Sequence, residues 1–373
     1  MQSGPRRLAL VITGLEPGGA ERALTQLALR INRELFQPLV ISLQPRPTAA
    51  KCLLVDQLEA ADVPVEFLNA QSKWQIGSAV WRLSRRFQSL QPAIVQSFLF
   101  HANVVAALAG RLSGVPVVAG IRVADPSPAR HRLERWIEPL VKKVVCVSHS
   151  VAHFSAQTAG LPRGKLSVIP NGVDVAKFRD ALPADRHELG LPAQQRFFIA
   201  IGRLDRQKGH DWLLPQMPAI FAQRPQHSLL IVGDGPERKR LQAQTAELGL
   251  QQRVHFLGWR ADVPQLLKLA EVLLLPSRWE GMPNVLLEAM AAGLPFVSTA
   301  VEGADEIAGL LQGDQVVNQG DAQAFTERVL AVTASSDYRM QLGKANQQRA
   351  EEHFSLALMA KAYEDIYCQI INS

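Results

Sequence analysis

Short apolar runs recur along the whole chain, each followed by a longer stretch with helical spacing. The first half holds LALVIT, PLVISL, AIVQSF, VPVVAGI and KVVCVS; the second holds FFIAIG, SLLIVG, RVHFLG, EVLLLPS and PFVSTA. Near-continuous apolar runs mark strands buried on both faces, and their alternation with helices predicts parallel sheets covered on each side. Two such series predict an α/β protein of two doubly wound domains, residues 1–180 and 181–355. Between them IPNGVDVAKF and the proline-bearing ALPADRHELGLPAQQ read as the connection, with Asn171, Gly172 and Asp174 making a turn. A last helical stretch, Leu356 to Ile370, is a candidate for crossing back onto the first domain. Ligands of open parallel sheets sit beyond the carboxyl ends of the strands, so two domains of this kind are expected to face each other across one cleft.

The richest stretch is SRWEGMPNVLLEAMAAGLP, residues 277–295. Asn284 is placed to cap a helix that starts near Val285, and Gly293 followed by Pro295 supplies its stop. The unpaired N–H groups and positive dipole end of such a helix favour an anion such as a diphosphate. Glu288, on the first turn, leans back toward that end, and Glu280 approaches from the preceding loop. Two acids around a helix start are also ordinary in an α/β protein, so other residues must decide between the readings.

The chain has 373 residues, 47% hydrophobic and 20% charged, the composition of an ordinary globular protein long enough for two domains. Charge is uneven: 22 Lys and Arg face 12 Asp and Glu up to residue 180, against 18 and 22 beyond it. The basic first half suits an anionic partner or a solvated basic face, and no RNA module or Cys/His finger favours nucleic acid. Three scattered cysteines, Cys52, Cys146 and Cys368, argue against a disulfide framework or a metal cluster and fit a reducing cytosol. No metal site is expected. Arg6 and Arg7 before LALVITG suggest a secretory signal, but the apolar run is short and reads better as a buried first strand. No run reaches the ~20 apolar residues of a membrane span, so any membrane contact is expected to be peripheral.

Gly18 and Gly19, after the first strand, permit close backbone approach before a helix, as would a plain tight turn; their spacing is not the dinucleotide fingerprint. GRLDRQKG puts Arg203 and Lys208 at the carboxyl end of the second half's first strand. A planar fork and a point charge there suit a diphosphate leaving group, although an exposed basic loop is the plainer reading.

In order and spacing, GGAER, IPNGVD, GRLDRQKG, VGDGPER, VHFLG and SRWEGMPNVLLEAMAAGLPFV resemble the retaining glycosyltransferases of family 4, with the GT-B fold of two Rossmann-like domains. The resemblance covers nearly the whole chain. It implies that Arg203 and Lys208 bind the donor diphosphate, that Glu288 holds the ribose hydroxyls and that Glu280 contacts the donor sugar. It further implies that backbone groups of Gly281, Met282 and Pro283 line the sugar and those of Asn284 and Val285 the phosphates. Gly18 and Gly19 match the loop that closes over the donor, and Phe256, Leu257 and Gly258 the segment bordering the base. The implied reaction moves a hexose from a nucleotide-diphosphate donor, with UDP the favoured nucleotide, to a saccharide or lipid-linked acceptor in cell-surface polysaccharide or lipopolysaccharide synthesis. It proceeds with retention, without metal or cofactor. No two aspartates of the chain stand two apart, so the DxD motif of the other major glycosyltransferase fold is absent.

Two departures lie in the first half. Gln96 and Arg122 stand where relatives commonly carry histidines, and His101 follows a few residues after Gln96. Arg122 is expected to meet phosphate or donor sugar; His101 is either a site residue or a structural helix-start histidine. Trp74, Trp81, Arg82, Arg85 and Arg86, and then Arg130, Arg132, Arg135 and Trp136, form aromatic–cationic clusters suited to a membrane interface or to packing on their own sheet. Peripheral attachment to the cytoplasmic leaflet is the expectation. The competing functions are a sugar-nucleotide epimerase or phosphorylase on the same plan, and a catalytically silent nucleotide-sugar binder.

Overall fold

A computed structural model describes residues 4–70, 76–192 and 194–373. The chain divides into two compact units, Met1–Gly172 with Leu356–Ser373, and Val173–Ser355. The division falls after Gly172 rather than near residue 180, because Val173 already bridges to Ser355 and the helix Val175–Arg179 belongs to the second unit.

The first unit is built on a seven-stranded parallel sheet: β1 (Arg6–Ile12), β2 (Phe36–Ser42), β3 (Val65–Phe67), β4 (Ile94–Phe98), β5 (Val117–Ile121), β6 (Lys143–Cys146) and β7 (Leu166–Val168), in the order β3-β2-β1-β4-β5-β6-β7. The second holds six parallel strands: β8 (Arg196–Ile201), β9 (His227–Val232), β10 (Val254–Gly258), β11 (Ala270–Leu275), β12 (Phe296–Thr299) and β13 (Val316–Val317), in the order β10-β9-β8-β11-β12-β13. The runs singled out in the sequence supply ten of these strands. β3, β7 and β13 escaped notice because they are short and at least partly solvated, lying at or near a sheet edge where a long apolar run is not required.

Each sheet reverses its winding at one place, between β1 and β4 and between β8 and β11, which opens a crevice at the strands' carboxyl ends. The helix Leu356–Asn372 packs in the first unit, where Leu356, Met359, Ala360, Tyr363 and Tyr367 join the core of Leu8, Leu10, Ile12 and Phe98. Glu364 on this helix accepts the Asn32 backbone N–H at 2.8 Å.

Candidate functional site

The loops leaving β8 and β11, at the switch point of the second unit, meet because glycine allows it. Gly209 takes φ 67°, and a Cβ there would stand 2.0 Å from the Pro276 carbonyl oxygen, so only a bare backbone brings the two loops together. Arg206–Lys208 form one 3-10 turn, capped by Asp205, whose Oδ1 accepts the Lys208 backbone N–H at 3.3 Å. Lys208 then extends to Glu280, Nζ to Oε1 2.5 Å. The same oxygen accepts the Ser277 hydroxyl at 2.8 Å, and Ser277 is itself tied down by Thr299, whose Oγ1 donates to its carbonyl at 2.6 Å. Glu280 is only 7% exposed, so its charge is held by Lys208, Ser277 and little water.

Arg278 braces both loops. Its guanidinium grips Asp211 through two bonds of 2.8 and 2.9 Å and donates to the Arg206 carbonyl at 2.6 Å, while its backbone N–H donates to Gln207 O at 2.8 Å. Gln207 returns a bond from Nε2 to Trp279 O at 2.9 Å. Burial by itself would raise the Asp211 carboxyl, but Arg278 and Arg240 hold it below its ordinary range. Arg203 stands apart from this cluster: its side chain is 69% exposed and bound to Asp205 Oδ2 at 2.5 Å.

The helix after Glu280 runs Asn284–Ala291, with Pro283 at the cap position and no side-chain cap bond. Asn284, the expected cap, is the first helical residue, since the chain has already turned at Pro283. Glu288 is therefore the fifth helical residue, a full turn in rather than on the first turn, on the same face as Asn284. Its side chain leans toward the helix start and stays half-exposed between buried Leu287 and Ala289. The helix ends as the sequence predicts: Gly293 at φ 74° donates to Met290 O, and Leu294 to Ala289 O, the two bonds of a Schellman cap. Gly281, Met282, Pro283 and Val285 are buried beside it. Phe256, Leu257 and Gly258 are half-buried at the end of β10, where the register slips around Leu257 and Gly258 turns at φ 71°.

In the first unit Gly18 is the extended cap of the helix Gly19–Arg30, and a Cβ on Gly18 would lie 2.3 Å from Glu21 Oε2. Arg122 follows β5. It donates to Asn171 Oδ1, lies 5.3 Å from the Phe98 ring centroid and faces Tyr363; burial lowers its pKa. Gln96 is fully buried inside β4, donating to Ser97 O at 2.9 Å and accepting from the Tyr367 hydroxyl at 3.3 Å. His101, the second residue of the helix Phe100–Ser113, is exposed and edge-on to Phe100 at 5.4 Å. Leu99, just before it, takes φ 74°, a left-handed conformation costly for a branched side chain and found where a surrounding structure imposes it.

Two family models account for most of the chain: "Glycosyltransferase Family 4" matches residues 17–177 and "Glycosyl transferases group 1" residues 183–349. The chain belongs to glycosyltransferase family 4. Among the similar proteins, the UDP-Gal:alpha-D-GlcNAc-diphosphoundecaprenol alpha-1,3-galactosyltransferase of Escherichia coli is 28% identical over 74% of this chain and 76% of its own length. The lipopolysaccharide core biosynthesis mannosyltransferase LpsB of Rhizobium meliloti is 28% identical over 66% of this chain and 72% of its own. Anabaena HepE, solved in complex with UDP, superposes with a TM-score of 0.81 at 23% identity, covering 97% of this chain and all of that one. Structural likeness at that identity establishes the GT-B fold.

In this glycosyltransferase the structure therefore gathers Lys208, Glu280 and the start of the Asn284 helix, and leaves Arg203 pointing to solvent. Sequence reading overlooked Ser277, Arg278, Asp211 and Glu302. The first two lie inside the string already singled out, and an arginine two residues before Glu280 was the available signal. Asp211 stands just past GRLDRQKG, but its pairing with Arg278 shows only in the fold, and Glu302 carried no signal, being close to Glu280 only through the fold.

The two aromatic–cationic clusters divide. Trp81 is 63% exposed with Arg85 6.0 Å from its ring centroid, but Arg82 donates to Leu68 O and Arg86 makes a two-point ion pair with Glu66. Arg130 is paired with Asp125 and Glu134, both at 3.0 Å, and Arg132 donates to Pro128 O at 3.4 Å, while Trp136 is exposed. Trp74 lies outside the described residues. Among those residues no helix is long and apolar enough to cross a membrane.

Proposed function

We propose that this glycosyltransferase moves a hexose, with retention, from a nucleoside-diphosphate sugar to a saccharide or lipid-linked acceptor in the synthesis of a cell-surface polysaccharide or lipopolysaccharide. The observation that carries the reading is the Lys208–Glu280–Ser277 cluster at the mouth of the Asn284 helix: a cation and a fixed carboxylate beside a positive dipole end. Lys208 and, after leaving Asp205, Arg203 stabilise the diphosphate as charge builds on it. Backbone groups of Asn284 and Val285 cradle the phosphates, those of Gly281, Met282 and Pro283 line the sugar, and Glu280 accepts from a sugar hydroxyl. Glu288 holds the ribose, and Phe256, Leu257 and Gly258 border the base. UDP is the proposed nucleotide, in keeping with the UDP found in the HepE structure. In the first unit Gly18, Gly19 and Arg122 are proposed donor contacts and His101 an acceptor-side residue.

In the proposed front-face step the bond from the anomeric carbon to the β-phosphate oxygen breaks with its electron pair going to the phosphate. The acceptor oxygen bonds to the same face of that carbon, and its proton passes to the departing phosphate. With two side-chain cations for the diphosphate, turnover is expected to persist in EDTA. The reading is tested by release of nucleoside diphosphate from a panel of sugar nucleotides. Release that is lost in Glu280→Gln supports it; no release with any donor and acceptor overturns it.

The acceptor reading includes peripheral attachment to an anionic membrane surface through Trp81 and Arg85, the exposed aromatic–cation pair of the first unit. Since Arg82 and Arg86 have partners within the protein, the test variant is Trp81→Ser with Arg85→Glu. Unchanged sedimentation with phosphatidylglycerol vesicles would remove the membrane from the proposal.

A further inference from the structure

The loop after β12 brings a second carboxylate to Glu280. Glu302 Oε2 accepts the Glu280 backbone N–H at 3.0 Å. The next residue, Gly303, takes φ 80°, and a Cβ there would stand 2.9 Å from Gly281 O and 3.0 Å from Met282 Cα. The two loops are thus in close backbone contact at Gly303, and the Glu280 N–H anchors the Glu302 carboxylate. The charges around it are uneven. Of the cations on the neighbouring loops, Lys208, Arg278 and Arg203 are engaged by Glu280, Asp211 and Asp205, and Arg206 is exposed. Among the described residues Glu302 has no ion-pair partner, and it is half-buried. A fixed, uncompensated carboxylate therefore stands beside the residue proposed to touch the donor sugar.

We propose that Glu302 is a specificity-determining residue that admits donors with an uncharged sugar and rejects those whose sugar carries a carboxylate. This rests on the reading of Glu280 as the sugar contact. A neutral hexose can offer a hydroxyl to either carboxylate. A uronate adds a fourth anionic group to Glu280, Glu302 and the donor's own diphosphate, in a half-buried site where water screens little. A repulsive element of this kind discriminates between ligands that otherwise make similar contacts. The neighbouring Lys208 does not relieve it, because its ammonium is already held by Glu280 and is the group proposed to turn to the diphosphate.

The test compares kcat/KM for each hexose donor and its uronate counterpart: UDP-glucose with UDP-glucuronate, UDP-galactose with UDP-galacturonate, and GDP-mannose with GDP-mannuronate. The comparison is made for the wild type and for Glu302→Gln, which keeps an oxygen to accept the Glu280 N–H. The wild type is expected to prefer the neutral member by about 100-fold or more. In Glu302→Gln that ratio is expected to shrink by about 30-fold, which corresponds to about 2 kcal/mol. A melting temperature within a few degrees of wild type shows the variant folded. A wild type that uses the uronate as well as the hexose, or a ratio unmoved in folded, active Glu302→Gln, overturns the role of Glu302 and leaves the transfer reading standing. Absence of turnover with every donor and acceptor overturns both.

Discussion

Replacing Lys208 by methionine separates two consequences of one ion pair. The side chain keeps most of its unbranched apolar stem and loses the charge, leaving the Glu280 carboxylate with the Ser277 hydroxyl. Breaking a fully buried pair costs roughly 3–5 kcal/mol because an uncompensated charge remains. Here the Lys208 side chain is 20% exposed, so water can enter, and the Ser277 hydroxyl still donates to Oε1. The expected loss is therefore about 1–2 kcal/mol, or roughly 2–8 °C in melting temperature for a unit of this size. The kinetic loss is larger: a charge-assisted contact to the leaving diphosphate supplies about 100-fold in turnover, on the order of 3 kcal/mol. Thermal melts and nucleoside-diphosphate release, measured on the same preparations, distinguish the two effects. Adding Glu280→Gln removes the stranded charge and is expected to restore most of the melting temperature without restoring turnover. Wild-type turnover and donor KM in Lys208→Met would refute the assignment of this cation to the diphosphate, and an unchanged melting temperature would refute the energetic account of the pair.

Three further outcomes follow from the same geometry. Arg278→Lys keeps the charge but loses the planar fork that grips Asp211 and Arg206 O, so kcat is expected to fall about 10-fold with a melting shift of only a few degrees; steady-state kinetics showing unchanged kcat would dismiss the brace. His210 is buried, and burial, reinforced by Lys208, pulls its pKa from 6.5 down to about 4. The unfolded chain therefore binds the extra proton between those values, and stability falls as pH drops through that window, by about 3 kcal/mol in total. Urea titrations across pH 4–6.5 should show a shallower loss in His210→Leu, and parallel curves would contradict this. Gly233 takes φ 137°, and a Cβ there would stand 1.9 Å from Gly202 O, so Gly233→Ala is expected to lose about 3 kcal/mol or more. Gly249, at φ 69° with open space around it, should lose only about 1 kcal/mol on the same change, and equal losses in denaturant titration would contradict the packing argument.

Much of the architecture was legible in the chain because buried parallel strands must be apolar nearly throughout, as in FFIAIG and SLLIVG, and no tertiary detail is needed to see that. The stop of the Asn284 helix was equally local, since Gly293 supplies the left-handed turn that a Schellman cap requires. Its start was read one residue late, because an asparagine is a favourable cap by itself while Pro283 had already turned the chain. Two motif strings singled out Glu280 and Glu288, and Arg203 and Lys208, as site candidates, in the segments that follow two of the apolar runs.

What the sequence could not decide was which charges meet. Lys208 and Arg203 are five positions apart in one loop and look alike on paper, yet one is held by Glu280 and the other turns to Asp205 and solvent. Glu302 reaches the site from the loop after β12, and Asp211 from the short helix His210–Leu213 that follows Lys208. The contacts of Glu302 with the Glu280 N–H and of Asp211 with Arg278 accompany two close backbone approaches, at Gly303 against Gly281 and at Gly209 against Pro276. A periodic pattern records which side of an element is buried. It does not record the distance between two loops, and electrostatic attraction in a half-dry site is decided by that distance.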